Sequence, residues 1–206
     1  MNTSELIALI SAMSRRMEKE KEYLTELDNA IADGDHGINM ARGFAAAEQK
    51  IAGLGDQDIG TVLKTVGMTL VSVVGGSAGP LYGTAFMKSG MAMAGKNAME
   101  IGDFLVCLKA SVEGIMMRGK AVRGEKTMLD AMIPACEAME KANADGKTVS
   151  EILNAGVQAA REGVEFTATI AATKGRASYL GERSIGHLDP GAVSFTYLLE
   201  TAAEGR

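Results

Sequence analysis

Asp28-Asn29-Ala30-Ile31-Ala32-Asp33-Gly34-Asp35-His36-Gly37 places three carboxylates close together, with Gly34 between two of them. A tight turn at Gly34 aims Asp33 and Asp35 at one point, and Asp28 approaches from the end of the preceding segment. Three oxygen donors suit a hard cation, and Mg²⁺ in particular keeps its other positions for water and substrate phosphates. The glycines and the adjoining His36 favour a metal site over an acidic, solvated turn. A second segment, Gly75-Gly76-Ser77-Ala78-Gly79-Pro80-Leu81-Tyr82-Gly83-Thr84, has little side-chain bulk. Its free backbone N–H groups at a helix start make an anion site, to which Ser77 adds a hydroxyl. Taken alone, the same run reads equally as a flexible turn between helices. A third segment, Lys174 to Gly191, is long and polar, and loops of this length are often functional. Arg176 there suits charge stabilisation on a transferring phosphoryl group, or it is a solvated surface arginine. His187 is equally open, since it can simply orient the loop.

Two near-matches to a P-loop fail on chemistry. Gly90-Met91-Ala92-Met93-Ala94-Gly95-Lys96-Asn97 has Asn97 where a Mg²⁺-binding hydroxyl is needed, and no strand precedes it. Gly146-Lys147-Thr148 has the right end, but Lys141 stands where the first glycine belongs.

Positioning these segments falls to helices. Leu6, Leu9, Ile10, Met13, Met17, Leu24 and Leu27 recur at the spacing of one helical face, predicting a long first helix that ends at the Asp cluster. A second is expected from Gly37 through Met40, Phe44 and Ile51 to the Gly53-Leu54-Gly55 break. A third follows the N-cap Asp58 and carries Ile59, Val62, Leu63, Val66 and Leu70 toward Val74. A fourth has Pro80 in its first turn. Further helices read at 102–118, 127–143, 149–172 and 190–203, the third of these four opening with the capping box Thr148-x-x-Glu151 and the fourth with Asp189-Pro190. Only Val193-Ser194-Phe195-Thr196-Tyr197 is locally rich in β-formers, and it sits behind a helix start signal, so the expected fold is all-α.

At 206 residues the chain reads as one domain over 1–206, with no tryptophan and 14 methionines that suit a core of slender side chains against many Ala and Gly. A net charge of −5 argues against nucleic acid, and an acidic protein that binds a polyphosphate needs a cation between them. Cys107 and Cys136 lie in apolar helical patterns without metal-ligand spacing, as small core residues of a reduced protein. The first residues carry no signal-peptide pattern and no apolar run reaches the ~20 residues that span a bilayer, so a soluble, cytoplasmic protein is expected.

Leu27-Asp28 through Asn39, Gly75 to Gly83, Arg118-Gly119-Lys120 with Lys126-Thr127-Met128, and Gly175 through Gly191 fall in the order and approximate spacing of one family. On these motifs the chain resembles the L subunit of dihydroxyacetone kinases along nearly its whole length, the phosphoenolpyruvate-dependent phosphotransferase-system type in particular. The resemblance implies an antiparallel barrel of eight amphipathic helices, with ADP (ATP when phosphorylated) and two Mg²⁺ ions in loops at one end. It implies Asp28, Asp33 and Asp35 as metal ligands, and His36, Gly37, Ile38, Asn39, Ser77 and Ala78 beside the phosphates. Gly119, Met128, Arg176, Asp189, Pro190 and Gly191 match further nucleotide contacts, with Arg176 and His36 as the catalytic pair. Ala78 departs from the second small hydroxyl residue of many relatives, so only a backbone contact carries over there.

The implied partners are a dihydroxyacetone-binding K subunit and a phosphohistidine-carrying phosphotransferase-system protein, with a homodimer also considered; neither nucleic acid nor membrane is expected. The implied reaction moves a phosphoryl group from that phosphohistidine, through bound nucleotide, to dihydroxyacetone on K. Competing readings are an L subunit that consumes free ATP, on dihydroxyacetone or a related keto-sugar, and a nucleotide-sensing module acting on a regulator. A fourth takes His36 as a phosphoacceptor.

Overall fold

The computed structural model describes residues 1–204, and among these every regular element is helical. They are α1 (Thr3–Lys19), α2 (Lys21–Ile31), α3 (His36–Ile51), α4 (Ile59–Val73), α5 (Ala78–Ala92), α6 (Ile101–Gly119), α7 (Leu129–Ala144), α8 (Val149–Thr169) and α9 (Pro190–Glu204). The expected first helix is two. Glu20 leaves helical geometry at φ −93°, ψ 5°, and its N–H still closes the last turn of α1 on the Arg16 carbonyl before α2 begins. Because α1 and α2 share one wall against α3 and α9, the ring still has eight sides. Each helix packs on its neighbours in sequence, and α9 returns to α1 and α2 to close the barrel. At the seam, Arg16 bonds Glu200 at 3.0 Å and stacks over the Tyr197 ring at 4.5 Å.

The caps act as the sequence predicts. Asp58 accepts the Thr61 N–H, and Thr148 with Glu151 forms a reciprocal box. Val193 to Tyr197 lies inside α9 despite its β-forming residues, because the helix is buried on several sides, with Val193 and Phe195 on different faces, and that burial outweighs local preference. The helix expected to reach 172 stops at Thr169. The long polar loop is not structureless: Arg176–Ser184 forms two 3₁₀ turns that meet at a kink at Gly181.

The apolar stripes turn inward into one continuous core, from Leu6 and Met17 through Phe44, Leu70 and Met132 to Phe195. Phe44 and Phe86 pack edge to face at 6.0 Å. Small residues set the helix spacing: a Cβ added at Gly67 of α4 would lie 2.7 Å from the Gly83 carbonyl oxygen of α5. Pro134 inside α7 cannot donate to the Asp130 carbonyl. That carbonyl turns to α8 instead, where a Cβ at Gly163 would be 2.1 Å away. No helix among the described residues is long and apolar enough to cross a membrane.

Candidate functional site: an acidic turn facing a glycine-rich helix start

Because helices alternate in direction, every second connection falls at the same end. The α2–α3, α4–α5, α6–α7 and α8–α9 connections surround one cavity of about 520 Å³. Asp28, in the last turn of α2, is buried, and its Oδ2 accepts the N–H of Asp35 at 2.8 Å and of His36 at 3.2 Å. One carboxylate thus takes two of the open donors at the N-terminus of α3. Asp35 makes no side-chain cap of its own. Gly34 reverses the chain at φ +72°, and the Asn29 amide oxygen lies 1.9 Å from where a Cβ would be, so only glycine serves there. As a result Asp28, Asp33 and Asp35 each bring one carboxylate oxygen within 4.8 Å of the others. An all-oxygen, anionic donor set fits Mg²⁺.

The Gly75-Gly76-Ser77-Ala78 segment faces this turn. Gly76 stands beside Asp35, whose Oδ1 is 3.9 Å from the position of an added Cβ. Ser77 begins α5 without capping it, so the hydroxyl and first N–H groups stay available to an anion. From the far side Arg176 reaches in, its Nη1 2.5 Å from Asp33 Oδ2. Both partners are substantially exposed, so the pair is weak enough to exchange.

Two buried groups hold the fourth connection. Asp189 caps α9 by accepting the Ala192 N–H at 2.7 Å, and burial pushes its carboxyl up to about 7, against that hydrogen bond. Lys126, left-handed at φ 59°, is 1% exposed. Its ammonium donates to the Thr167 and His187 carbonyls, and more weakly to Ile170 at 3.4 Å. Burial pulls the ammonium below the usual lysine range, with Asp189 and Asp130 opposing. His36 sits in the floor, its Nε2 2.9 Å from Ser194 Oγ, and burial lowers the imidazole to about 4 despite Asp28 and Asp35.

Of the residues singled out above, Asp28, Asp33, Asp35, His36, Ser77, Ala78, Gly119, Met128, Arg176, Asp189, Pro190 and Gly191 line the cavity. Gly37, Ile38 and Asn39 do not. Gly37 packs on α2, where a Cβ would be 2.0 Å from the Lys21 carbonyl oxygen. Ile38 points to solvent at 51% exposure. Asn39 lies beneath Gly75 and is held by Arg42 at 2.6 Å, so it supports the loop from behind. His187 contributes its carbonyl to Lys126. Lys96 of the rejected P-loop pairs with Asp103, and neither lines this cavity.

Sequence reading missed Lys126, Lys174, Arg118 and Tyr82 as lining residues. The adjacency of Lys126 to the Thr127-Met128 motif was a usable signal for the first.

The ADP-binding subunit DhaL of the PEP-dependent dihydroxyacetone kinase of Escherichia coli is 42% identical over 184 residues, covering 89% of this chain and 88% of that subunit. An L-erythrulose 1-kinase of Mycolicibacterium smegmatis is 32% identical over 97% of this chain, which spans only 35% of that protein. The crystal structure of the dihydroxyacetone kinase of C. freundii superposes with a TM-score of 0.73 at 25% identity, over 98% of this chain and 34% of that one. The chain therefore spans about a third of that kinase. The DAK2 domain family matches residues 30–204, and on that match the chain belongs to the DAK2 domain family.

Proposed function

We propose that this chain is the phosphoryl-transferring subunit of a phosphoenolpyruvate-dependent dihydroxyacetone kinase, holding ADP with two Mg²⁺ ions. It would pass a phosphoryl group from a phosphohistidine phosphotransferase-system protein to dihydroxyacetone on a separate K subunit. The observation that carries the reading is the convergence of Asp28, Asp33 and Asp35 opposite an uncapped, glycine-rich helix start across one cavity. The name of the Escherichia coli relative, matched over most of both chains, supports it.

Bound nucleotide is the phosphoryl carrier, and Mg²⁺ offsets its phosphate charge. The protein's part is positioning and electrostatics. Asp28, Asp33 and Asp35 would hold metal, and Asp28 also fixes the start of α3, so that ligand is in place before anything binds. The Gly75–Ala78 backbone and the Ser77 hydroxyl receive phosphate oxygens. Arg176 exchanges Asp33 for the transferring group, where its planar fork of donors stabilises developing charge. Gly119 and Met128 form the opposite wall. The same reading makes it a soluble cytoplasmic subunit, in keeping with two buried free thiols, and includes a homodimer as one state.

A second reading has one specific support: the similarity to an erythrulose kinase favours an L subunit that uses free ATP on a related keto-sugar. Denaturing extensively dialysed protein and quantifying released nucleotide tests both. Near-stoichiometric ADP supports a resident carrier, and an empty protein supports the ATP-consuming form. Asp33→Asn and Asp35→Asn should each abolish Mg²⁺-dependent nucleotide binding; retained binding in both sinks the site assignment.

A further inference from the structure

Tyr82 of α5, Ser194 of α9 and His36 of α3 form a buried chain of polar groups under the cavity that the reading above does not use. Tyr82 Oη lies 2.7 Å from Ser194 Oγ, and Ser194 Oγ lies 2.9 Å from His36 Nε2. Both hydroxyls also approach the Gly191 carbonyl, at 3.3 and 3.1 Å. Those two separations exceed the usual O–H···O range, and the carbonyl sits in the first turn of α9, where the helix itself supplies a donor. Each hydroxyl has one hydrogen to give. Both hydroxyl hydrogens fall on the two short contacts when Tyr82 donates to Ser194 and Ser194 donates to His36 Nε2; in the opposite sense His36 donates to Ser194 and one hydroxyl hydrogen is left with a longer Gly191 contact.

That direction decides the ring. An Nε2 that accepts carries no hydrogen, so the neutral imidazole holds its proton on Nδ1. Among the described residues Nδ1 has no hydrogen-bond partner, and His36 lines the cavity. We propose that Ser194 and Tyr82 are positioning residues that fix His36 as the Nδ1–H tautomer, so that it presents a hydrogen-bond donor to an anionic group in the cavity. The other tautomer would point a lone pair at that anion and repel it. Identifying the anion as nucleotide phosphate rests on the proposed function; the tautomer does not.

The chain contains two histidines, His36 and His187, so ¹⁵N-histidine labelling gives spectra of two rings, assigned by His187→Gln. The expected wild-type result, without nucleotide, is a protonated Nδ1 and an accepting Nε2 on His36. Ser194→Ala should convert that ring to mixed or Nε2–H tautomers and weaken Mg²⁺-ADP binding about tenfold, the equivalent of one hydrogen bond. Ser194→Thr should restore the tautomer. Tyr82→Phe, which leaves the Ser194 donor in place, should keep the Nδ1–H tautomer and weaken binding only about threefold; if Ser194→Ala does not fold, the near-isosteric Ser194→Cys, a weaker donor, should shift the ring toward mixed tautomers, and an unchanged ring there overturns the proposal.

A wild-type Nε2–H ring overturns the proposal. So does weaker ADP binding in Ser194→Ala with the tautomer unchanged, which a merely structural role would produce. Failure of the wild type to bind ADP, with the tautomer as expected and altered in Ser194→Ala, upholds the positioning role and overturns the nucleotide reading instead.

Discussion

Replacing Lys126 by Met tests whether one buried ammonium holds the segment that carries Arg176. The Lys126 amine bonds carbonyls at both ends of that segment, Thr167 on entry and His187 on exit, with Ile170 further off. Hydrogen bonds from a charged donor contribute about 2 kcal/mol each, so the two close ones amount to about 4 kcal/mol. Against this, Met removes the cost of burying the ammonium, which acts in the direction of the lowered lysine pKa and cancels part of that contribution. The left-handed backbone at φ 59° is equally strained for either side chain and cancels. A net loss of about 2–3 kcal/mol follows, and in a domain of this size each kcal/mol lowers Tm by about 2–4 °C. Scanning calorimetry at pH 7 without nucleotide should therefore show Tm about 5–10 °C below wild type. Hydrogen exchange should rise in 170–188 well before the barrel helices open. A Tm within about 2 °C of wild type, or exchange that rises evenly through all helices, would refute the argument.

Three further perturbations have definite outcomes. His36 is held at about 4 when folded against 6.5 when exposed, so its contribution is complete above pH 6.5 and is lost as pH falls toward 4. Unfolding free energies from urea titrations should decline across that window by up to about 3 kcal/mol, and less steeply in His36→Gln. Burial pushes the Cys107 and Cys136 thiols up to about 11, so neither should react with a disulfide reagent at pH 8 until guanidinium unfolds the chain, when both should. Gly67→Ala should cost about 2 kcal/mol or more by forcing α4 from α5, whereas Gly102→Ala, which meets open space in α6, should be neutral or stabilising by up to about 1 kcal/mol. Equal midpoints for those two variants in thermal denaturation would contradict the packing described at Gly67.

What could be read from the sequence was what local chemistry determines. Apolar spacing found the helical walls, because each buries one face. Asp58, Thr148 with Glu151, and Asp189-Pro190 marked starts, because capping needs a particular side chain at a fixed position. The acidic turn and the glycine run were legible for the same reason. The break at Glu20 was hidden, since glutamate is a good helix former and the apolar stripe continues across it. The 3₁₀ turns after Gly175 carry no periodic signal. Lys126 was read as part of a motif but not as buried, because lysine is rarely buried and its partners are backbone carbonyls distant in sequence. The link between Tyr82 and Ser194 was equally invisible, for it depends on how α5 meets α9.

The alternation of helix direction has a consequence for how this molecule can change. The connections 52–58, 93–100 and 145–148 lie at the end opposite the cavity and join the same walls without lining it. Lys120 and Lys126, the two left-handed residues other than glycine among the described residues, both fall at the cavity end. Rewriting one end therefore leaves the other nearly untouched. New chain ends, tags or inserted segments placed at 52–58 or 145–148 should be tolerated with the ligand pocket intact, while a one-residue insertion between Asp28 and Asp35 should be disabling. A barrel of this kind can be re-engineered from its far rim, and a library of insertions scored for folding and for metal binding would divide into two halves along the barrel axis.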